Sequence, residues 1–366
     1  MSRVLVLGGY APTLFLFRAP LLKALVEAGH EVIASAPDED PRVPSAMSAL
    51  GVQWKPIEFE RNRVQPVRDL FFLRRIRALL REIQPDRLLC YTIKPNIYGG
   101  WAARAEDIPS AAMVTGLGTV FGSSGPRRLI ASRMLRRACR HHDRIFFQNH
   151  DDREDLIKTG VVEDPDKAIV TAGSGIDLDD FTVKPLPDKP IFLMLSRLLA
   201  AKGVREYLRA AAIVKSACPD AVMRLGGMED PGSGGVPMHE IQDAVDSGSV
   251  DYLGHIEDVH AAFAACSVGV LPSWYGEGVP HSLLEAMATG RPIITTDSRG
   301  CRETVTPSSN GTLVPPGNAE ALADAMIDLA RDPSRRAAMG IESRQLAEDR
   351  FDARVVARQI MDALSL

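Results

Sequence analysis

Apolar residues occur in short continuous runs that alternate along the chain with longer amphipathic stretches. The first run, at residues 3–8, predicts a fully buried strand, and residues 17–28 predict a helix that Gly29 ends. A second strand is predicted at residues 30–36. Continuous apolar strands are typical of a parallel sheet covered on both faces. The order strand, helix, strand therefore predicts an α/β unit at the beginning of the chain.

The same alternation restarts after a segment with three prolines at residues 182–190, which is typical of a linker. Beyond it, apolar runs predict strands at 191–195, 221–225 and 268–271, and amphipathic stretches predict helices at 204–218 and 257–266. We therefore predict two doubly wound α/β domains, at residues 1–183 and 184–352.

The most informative stretch is a predicted strand–loop–helix–strand unit at residues 267–304. A turn-rich loop at 272–278 follows the strand, and Pro280 stands where a first helical position is expected. The helix is predicted over residues 282–289, and the next strand over 292–296. This unit resembles the strand-to-helix turns at which α/β proteins bind phosphorylated ligands.

Two acidic residues, Glu277 and Glu285, flank the beginning of this helix. Unpaired N–H groups and a partial positive charge make a helix N-terminus suitable for a diphosphate. A carboxylate there is better suited to accept hydrogen bonds from the hydroxyls of a ribose or a hexose. The alternative is that both carboxylates only complement the helix dipole and face water.

Composition excludes several other classes of protein. Of the 366 residues, 45% are hydrophobic and 25% charged, as in ordinary globular proteins, and the net charge of −4 gives no argument for nucleic-acid binding. The five cysteines are scattered and form no C-x-x-C pair, which predicts neither a zinc site nor a disulfide framework and favours the cytoplasm. No signal peptide is predicted, and no apolar run reaches the ~20 residues of a membrane helix.

Basic residues cluster in two segments of the N-terminal half. Residues 61–87 contain eight arginines and three acids, and residues 127–144 contain seven arginines and one acid. Large apolar residues are interleaved with the arginines in both segments. Basic amphipathic segments suit an anionic membrane surface or a diphosphate, although such runs also occur as simple solvated helix faces. Gly8 and Gly9, after the first strand, predict either a contact with phosphate or acceptor or only a tight turn.

Motifs along nearly the whole chain resemble those of family-4 glycosyltransferases, which have the two-domain GT-B fold. One is the E-x7-E spacing of Glu277 and Glu285 with its LLEAMA run, and the others are YTIKPNIYG, TGLG, FFQNxDD, GSGID, RLL-x-x-KG and GCRETV. In particular they resemble the branch that adds a sugar to a polyprenyl-diphosphate-linked saccharide. That branch includes the bacillosaminyl-diphosphoundecaprenol α-1,3-N-acetylgalactosaminyltransferases and their capsule and exopolysaccharide relatives.

The resemblance implies a retaining transferase that uses a nucleotide-diphospho sugar, expected to be a UDP-sugar, with no metal. It implies that Arg197 and Lys202 hold the diphosphate, Glu277 the donor hexose and Glu285 the ribose. The donor contacts that it further implies are Gly278, Val279, Pro280 and Gly226. It also implies that the last helix, at about residues 353–366, packs back onto the first domain.

The acceptor implied by the resemblance is a saccharide on undecaprenyl diphosphate, bound by the N-terminal half. Such an enzyme is expected to be peripheral on the inner face of the cytoplasmic membrane. His281 stands where close relatives often carry arginine, and Tyr275-Gly276 where Tyr-Arg is frequent, so the donor hexose stays open. Many family members place a histidine near the donor sugar. In the corresponding stretch this sequence has Thr115-Gly116-Leu117, so no residue is assigned that role.

Two other functions share parts of this pattern. A UDP-sugar 2-epimerase has the same fold and donor, and a non-catalytic protein could bind a nucleotide sugar or a lipid diphosphate. The D-x-D sequences at residues 38–40 and 177–179 lie in turn-like contexts and predict no metal site. His150 is interpreted as a packing or surface residue, and Lys94 and Asn96 as loop residues.

Overall fold

The structure is a computed structural model that describes residues 1–37, 40–60, 65–117, 126–230, 232, 234–274 and 276–366. Residue contacts divide the chain into two compact units. The first consists of Met1–Ser174 together with Ala353–Leu366, and the second of Gly175–Asp352. Each unit is built on one parallel sheet, so the predicted pair of doubly wound α/β domains is confirmed.

The first unit contains a seven-stranded sheet formed by β1 (Arg3–Leu7), β2 (Glu31–Ser35), β3 (Gln53–Trp54), β4 (Arg87–Tyr91), β5 (Ser110–Val114), β6 (Arg144–Phe147) and β7 (Ala168–Val170). The strand order is β3-β2-β1-β4-β5-β6-β7, and neighbouring strands pair in parallel. Successive side chains of β1 enter two different cores, Leu5 and Leu7 on one face of the sheet and Val4 and Val6 on the other. A strand buried on both faces explains the continuous apolar run at this position.

The helices of the first unit are α1 (Pro12–Leu16), α2 (Ala19–Glu27), α3 (Val43–Ala49), α4 (Pro66–Ile83), α5 (Ile93–Ala105), α6 (Pro126–Cys139), α7 (His150–Lys158) and, numbered last in the chain, α14 (Ala353–Leu364). The helix predicted at residues 17–28 is α2, which begins two residues later than predicted, and the short helix α1 precedes it. Pro20 lies in the first turn of α2, where the missing N–H of proline is tolerated and a helix can begin.

The C-terminal helix α14 belongs to the first unit. Its residues Val356, Ile360 and Leu364 share a hydrophobic core with Leu21 and Leu25 of α2. An amphipathic helix with this apolar face gains most of its stability from such burial.

The boundary between the units lies at residues 174 and 175, earlier than the predicted division at 183 and 184. The intervening segment is bonded to the second unit, because Arg344 Nη1 donates to Phe181 O at 2.7 Å. The three prolines of the predicted linker come after Phe181 in the chain and therefore belong to the second unit.

The second unit contains a six-stranded parallel sheet formed by β8 (Ile191–Leu195), β9 (Val222–Gly226), β10 (Asp251–Tyr252), β11 (Val268–Leu271), β12 (Ile293–Thr296) and β13 (Gly311–Val314). The strand order is β10-β9-β8-β11-β12-β13. Its helices are α8 (Val204–Ala217), α9 (Met238–Asp246), α10 (Val259–Ala264), α11 (His281–Ala288), α12 (Ala319–Arg331) and α13 (Pro333–Arg350). Of the helices in the described ranges, none combines the length and the hydropathy needed to cross a bilayer.

Lys94 and Asn96 lie on α5 and are buried, so their interpretation as loop residues is wrong. Pro95, Gly99 and Gly100 conceal this helix from sequence reasoning because they lower helix propensity. The glycines have a packing reason instead. A Cβ at Gly99 would stand 2.3 Å from Cys90 Sγ, so the helix can approach the sheet closely only without one.

The buried histidine His142 predicts a pH dependence of stability. Its Nε2 donates to Asn96 O at 2.8 Å, and Ser110 Oγ donates to its Nδ1 at 2.9 Å. Burial lowers the pKa of His142 to about 4, below the ~6.5 of an exposed histidine. The stability contributed by the neutral ring is therefore present above about pH 6.5 and lost as the pH falls towards 4, roughly 3 kcal/mol in total.

We expect urea unfolding to show that His142→Gln flattens the fall of the unfolding free energy between pH 7 and 4. The substitution at the exposed His255, His255→Gln, is the control and should keep the wild-type slope. Equal slopes in all three proteins would contradict the assignment to His142.

Candidate active site

The candidate active site lies at the carboxyl edge of the second sheet, where β8 and β11 are neighbours. From β8 the chain continues outward through β9 and β10, and it later returns through β11 to β12 and β13 on the other side. Ligands of open α/β sheets bind where the strand order reverses in this way. The segment after β8 carries Arg197 and Lys202, and the segment after β11 carries Glu277.

Lys202 and Glu277, predicted to bind different parts of the donor, are in contact with each other. Lys202 Nζ donates to Glu277 Oε1, and Ser273 Oγ donates to the same oxygen at 2.9 Å. The side chains of Lys202 and Glu277 are only 15% and 11% exposed. Solvent therefore screens this ion pair much less than one at the surface. The site places a cation beside a hydrogen-bond acceptor in a largely dry environment.

Ser273, which sequence reasoning missed, organises the segment after β11. Its hydroxyl lies 3.2 Å from Ala201 O, and the backbone N–H of Trp274 donates to the same carbonyl at 3.0 Å. Ser298 Oγ in turn donates to Ser273 O at 2.9 Å. These bonds join the segments after β8, β11 and β12. The available signal was a serine two residues beyond a buried strand, which is too common to interpret alone.

Gly300 packs closely against the backbone of the segment that carries Glu277. Its φ of +71° is in the left-handed region, and a Cβ there would stand 1.9 Å from Gly278 O and 2.7 Å from Glu277 O. Only glycine adopts this conformation and permits this approach without strain. Val279 and Pro280, predicted as donor contacts, continue the same segment to the helix.

Glu285 lies in α11, which begins at His281, one residue beyond the predicted first helical position at Pro280. His281 Nδ1 donates to Glu285 Oε1 at 2.9 Å across one helical turn. The histidine therefore orients the carboxylate through one oxygen, and the other oxygen can accept a hydrogen bond from a ligand hydroxyl.

Glu285→Gln is expected to weaken UDP binding by tenfold or more. Glutamine keeps the shape of the side chain but replaces charge-assisted hydrogen bonds of roughly 1.5–3 kcal/mol, and ~1.4 kcal/mol is a factor of ten. Calorimetric titration with UDP measures the effect. Glu348→Gln is the matched control because Glu348 forms an i,i+4 pair with Arg344 elsewhere in the unit. Wild-type UDP affinity in Glu285→Gln would refute the predicted ribose contact.

Arg197 is placed at the same edge but is more exposed. Its Nη1 lies 2.8 Å from Asp230 Oδ2, and its side chain is 60% exposed. Gly226 ends β9, and a Cβ there would stand 2.5 Å from Leu195 Cδ2. The glycine thus has a packing role, and its predicted contact with the donor stays a prediction.

In the first unit, Gly8 and Gly9 also have packing roles at the carboxyl edge of β1. A Cβ at Gly8 would stand 2.2 Å from Tyr91 Oη, and one at Gly9 would stand 2.1 Å from Thr92 Oγ1. Thr92 adopts φ +68° and ψ 161°, a conformation that costs a residue with a side chain about 1–3 kcal/mol. Strained residues of this kind cluster at ligand sites, which is compatible with the predicted contact of Gly8 and Gly9 with phosphate or acceptor. That contact stays a prediction.

The arginines of α4 are largely neutralised within the first unit. Arg77 and Arg81 both donate to Glu106 at 2.7 Å, and their hydrogen bonds lower the pKa of this carboxyl. Arg68 likewise bonds Glu60 at 2.8 Å. The helix therefore does not present a uniformly positive face, in contrast to the expectation from its arginine count.

On α6, Arg136 and Arg140 both donate to Glu163 and lower its pKa to about 2. Leu129 and Ile130 are 52% and 54% exposed on the same helix. Apolar residues thus reach the surface of α6, while two of its cations are held by an acid.

Some predicted positions lie outside the described residues, namely Asp38, Glu39, Arg61, Arg63, Gly118 and Tyr275. Asp177 Oδ1 accepts from Asp179 N at 3.0 Å, which makes this D-x-D a local turn. His150 is exposed at the first residue of α7. Across the described ranges, no three His, Cys, Asp or Glu side chains are grouped so as to hold a metal ion.

Comparison with known proteins identifies relatives along the full chain. N,N'-diacetylbacillosaminyl-diphospho-undecaprenol alpha-1,3-N-acetylgalactosaminyltransferase of Campylobacter jejuni is 27% identical over 98% of this chain and 97% of that protein. The putative colanic acid biosynthesis glycosyltransferase WcaL of Escherichia coli is 26% identical over 55% of this chain and 52% of that protein. The crystal structure of Anabaena HepE in complex with UDP-glucose has a TM-score of 0.83 at 18% identity and covers 100% of both chains.

The family assignment follows the division of the chain. Residues 18–172 match the family described as "Glycosyl transferase 4-like domain", and residues 177–346 match "Glycosyl transferases group 1". The predicted resemblance, the GT-B fold and the activity class are confirmed by these matches together with the relatives. This chain belongs to the family-4 glycosyltransferases and has the GT-B fold.

Proposed function

We propose that this enzyme transfers a hexose or N-acetylhexosamine from a UDP-sugar to a saccharide on a polyprenyl diphosphate, with retention of configuration. The observation that carries the proposal is the contact of Lys202 with Glu277 at the strand-order reversal of the second sheet. A cation beside a hydrogen-bond acceptor suits a donor in which a diphosphate adjoins a sugar. The choice of acceptor rests on the Campylobacter relative, whose name specifies a diphospho-undecaprenol substrate.

In the proposed reaction, the bond from the anomeric carbon to the diphosphate oxygen breaks while the acceptor hydroxyl bonds to the same face of that carbon. Negative charge builds on the leaving diphosphate, and Lys202 and Arg197 stabilise it. The leaving phosphate takes the proton of the acceptor hydroxyl, so the reaction needs no base from the protein. Because these two cations supply the stabilisation, we infer that turnover is independent of metal ions.

Donor binding requires the two cations to exchange partners. Arg197 leaves Asp230 for a phosphate oxygen. Because Arg197 is exposed, breaking its ion pair with Asp230 costs little free energy. Lys202 turns from Glu277 towards the diphosphate, and Glu277 Oε1 then accepts from a hexose hydroxyl while keeping its bond from Ser273. Glu285 accepts from the ribose.

Purified enzyme, a panel of nucleotide sugars and lipid-linked saccharides extracted from membranes test this proposal. We expect UDP release and a heavier lipid product only when donor and acceptor are both present, unchanged by excess EDTA. An epimerised nucleotide sugar without acceptor would favour a 2-epimerase, and binding without turnover would favour a binding protein. Loss of turnover in EDTA that manganese or magnesium restores would refute metal independence.

The proposed acceptor is anchored in a membrane, and exposed residues of α4 and α6 suit contact with its surface. Leu70 and Phe71 of α4 are 49% and 52% exposed, in addition to the apolar residues of α6. The guanidinium of Arg74 lies 5.8 Å from the centroid of the Phe71 ring. Apolar burial and attraction to anionic lipids, about 1 kcal/mol for each basic residue, would act together there.

Co-sedimentation with anionic vesicles at low salt tests this contact. The variant Phe71→Ser, Ile130→Ser, Arg74→Gln, Arg133→Gln should bind at least tenfold more weakly, because two lost charges alone remove about 2 kcal/mol. Arg136→Gln, Glu163→Gln removes one arginine of the same helix together with the acid that holds it, leaves the net charge unchanged and should bind nearly as wild type does. If both variants bind equally well, another surface makes the contact.

A further inference from the structure

One arginine is buried at the carboxyl edge of the first sheet. Arg18 precedes α2 as its N-cap residue and is only 4% exposed. Its guanidinium carbon lies 5.1 Å from the centroid of the Tyr91 ring, and its Nη1 donates to Ser174 Oγ at 2.6 Å. Tyr91 ends β4 and Ser174 follows β7, so this cluster occupies the edge at which open α/β sheets bind ligands.

Nothing in the described part of the chain neutralises this cation. Burial lowers the pKa of Arg18, and the opposing contribution comes from Tyr91 rather than from a carboxylate. Within the described residues Nε is buried without a hydrogen-bond partner, and the bonds of the guanidinium are made by Nη1 alone. A buried cation without a counterion is costly because its lost hydration is only partly replaced.

The neighbouring hydroxyl is also arranged as a donor. Ser174 Oγ accepts from Arg18 Nη1 and from Gln148 Nε2, the latter at 3.2 Å. A serine hydroxyl has two lone pairs and one proton, so both of its acceptor positions are used. Its proton is left to be donated to a further group. Arg18 and Ser174 therefore both offer hydrogen to an acceptor that the described residues do not supply.

We propose that Arg18 and Ser174 bind a phosphate group of a substrate. A guanidinium matches phosphate oxygens with two parallel hydrogen bonds, and the serine hydroxyl adds a third. The identity of the substrate rests on the proposed function, in which both the acceptor and the donor carry a diphosphate. The acceptor is favoured because Lys202 and Glu277, assigned to the donor, belong to the other unit.

The test is calorimetric titration of inorganic diphosphate into UDP-saturated enzyme, with titration of UDP into free enzyme as the second arm. We expect Arg18→Met to raise the Kd for diphosphate at least tenfold and leave UDP affinity unchanged, and Ser174→Ala to raise it severalfold. Arg87→Met is the control, since Arg87 begins β4 at the opposite edge and donates to Leu364 O. Because methionine replaces a buried charge that has no counterion among the described residues, the Tm of Arg18→Met should not fall.

The outcomes separate the two sources of phosphate. Loss of UDP affinity in Arg18→Met would identify the donor as the phosphate that Arg18 binds. Wild-type affinity for both ligands in Arg18→Met, or no binding of diphosphate by the UDP-saturated wild type, would overturn the site. A fall in Tm for Arg18→Met with unchanged binding in Ser174→Ala would assign a structural role instead.

Failure of this site and failure of the proposed function are distinguishable, because the titrations require no turnover. An enzyme that binds diphosphate through Arg18 but transfers no sugar would keep the site and refute the function. If the enzyme transfers sugar but Arg18→Met binds diphosphate with wild-type affinity, the function is kept and the site is refuted.

Discussion

Lys202→Met is expected to lower kcat by about 100-fold or more and also to destabilise the second unit. The loss of kcat follows because one of the two groups proposed to stabilise the leaving diphosphate is removed, and a single such donor is worth ~10²–10³. The loss of stability follows because Glu277 is left with its charge largely buried. Breaking a buried ion pair by removing one partner costs roughly 3 kcal/mol.

A double variant separates these two effects. Lys202→Met with Glu277→Gln also removes the acidic charge that Lys202 balances, so its Tm should recover towards wild type while turnover stays low. Lys215→Met is the matched control, since Lys215 lies at the far end of α8 and donates to Pro219 O and Ala221 O. Steady-state kinetics and thermal unfolding of the three variants are the measurements. If turnover recovers together with Tm, Lys202 has only a structural role.

Gly300→Ala is expected to disrupt the candidate active site. An alanine Cβ would collide with Gly278 O, so the segment that carries Glu277 must move or the residue must change conformation. We expect the free energy of unfolding to fall by about 1–2 kcal/mol for the left-handed backbone and by a further ~1–3 kcal/mol for the collision. UDP affinity should fall more than tenfold.

Gly317→Ala isolates the contribution of the backbone. Gly317 has a φ of +74°, close to that of Gly300, but a Cβ there meets no atom within 4 Å. This variant should show only the loss expected for the left-handed backbone and should bind UDP as wild type does. Equal losses in unfolding free energy for the two variants would show that the contact between Gly300 and Gly278 O is unimportant.

Local patterns predicted most of the secondary structure near the candidate active site. The strands Ile191–Leu195 and Val268–Leu271 have their predicted bounds, and α11 begins within one residue of its predicted start. A strand buried on both faces needs a continuous apolar run, which is visible without knowledge of its neighbours. The donor roles of individual residues were predicted from the resemblance of their motifs to those of a known family.

Helix α5 shows why other features could not be predicted. Lys94 Nζ lies 2.7 Å from Asp69 Oδ1, and both side chains are buried. Lysine and proline in this stretch indicate a loop, and distant partners, Asp69 and the backbone carbonyl of Glu60, make burial of the lysine possible. Likewise, the sequence suggested a uniformly positive face for α4. Glu106, which binds two of its arginines, lies in neither basic segment.

The chain alone thus specifies two parallel sheets, the loops that follow their strands and the acidic and basic residues available there, because each depends on neighbours in sequence. The partners of those residues were decided by the tertiary structure. Glu277 meets Lys202, which is 75 residues away, and Arg18 meets Ser174, which is 156 residues away. Parallel strands need long crossover connections, so their carboxyl edges bring together side chains from distant segments. Whether a charge is paired or buried depends on that assembly. Lys202 has Glu277 as its counterion, whereas Arg18 has none among the described residues.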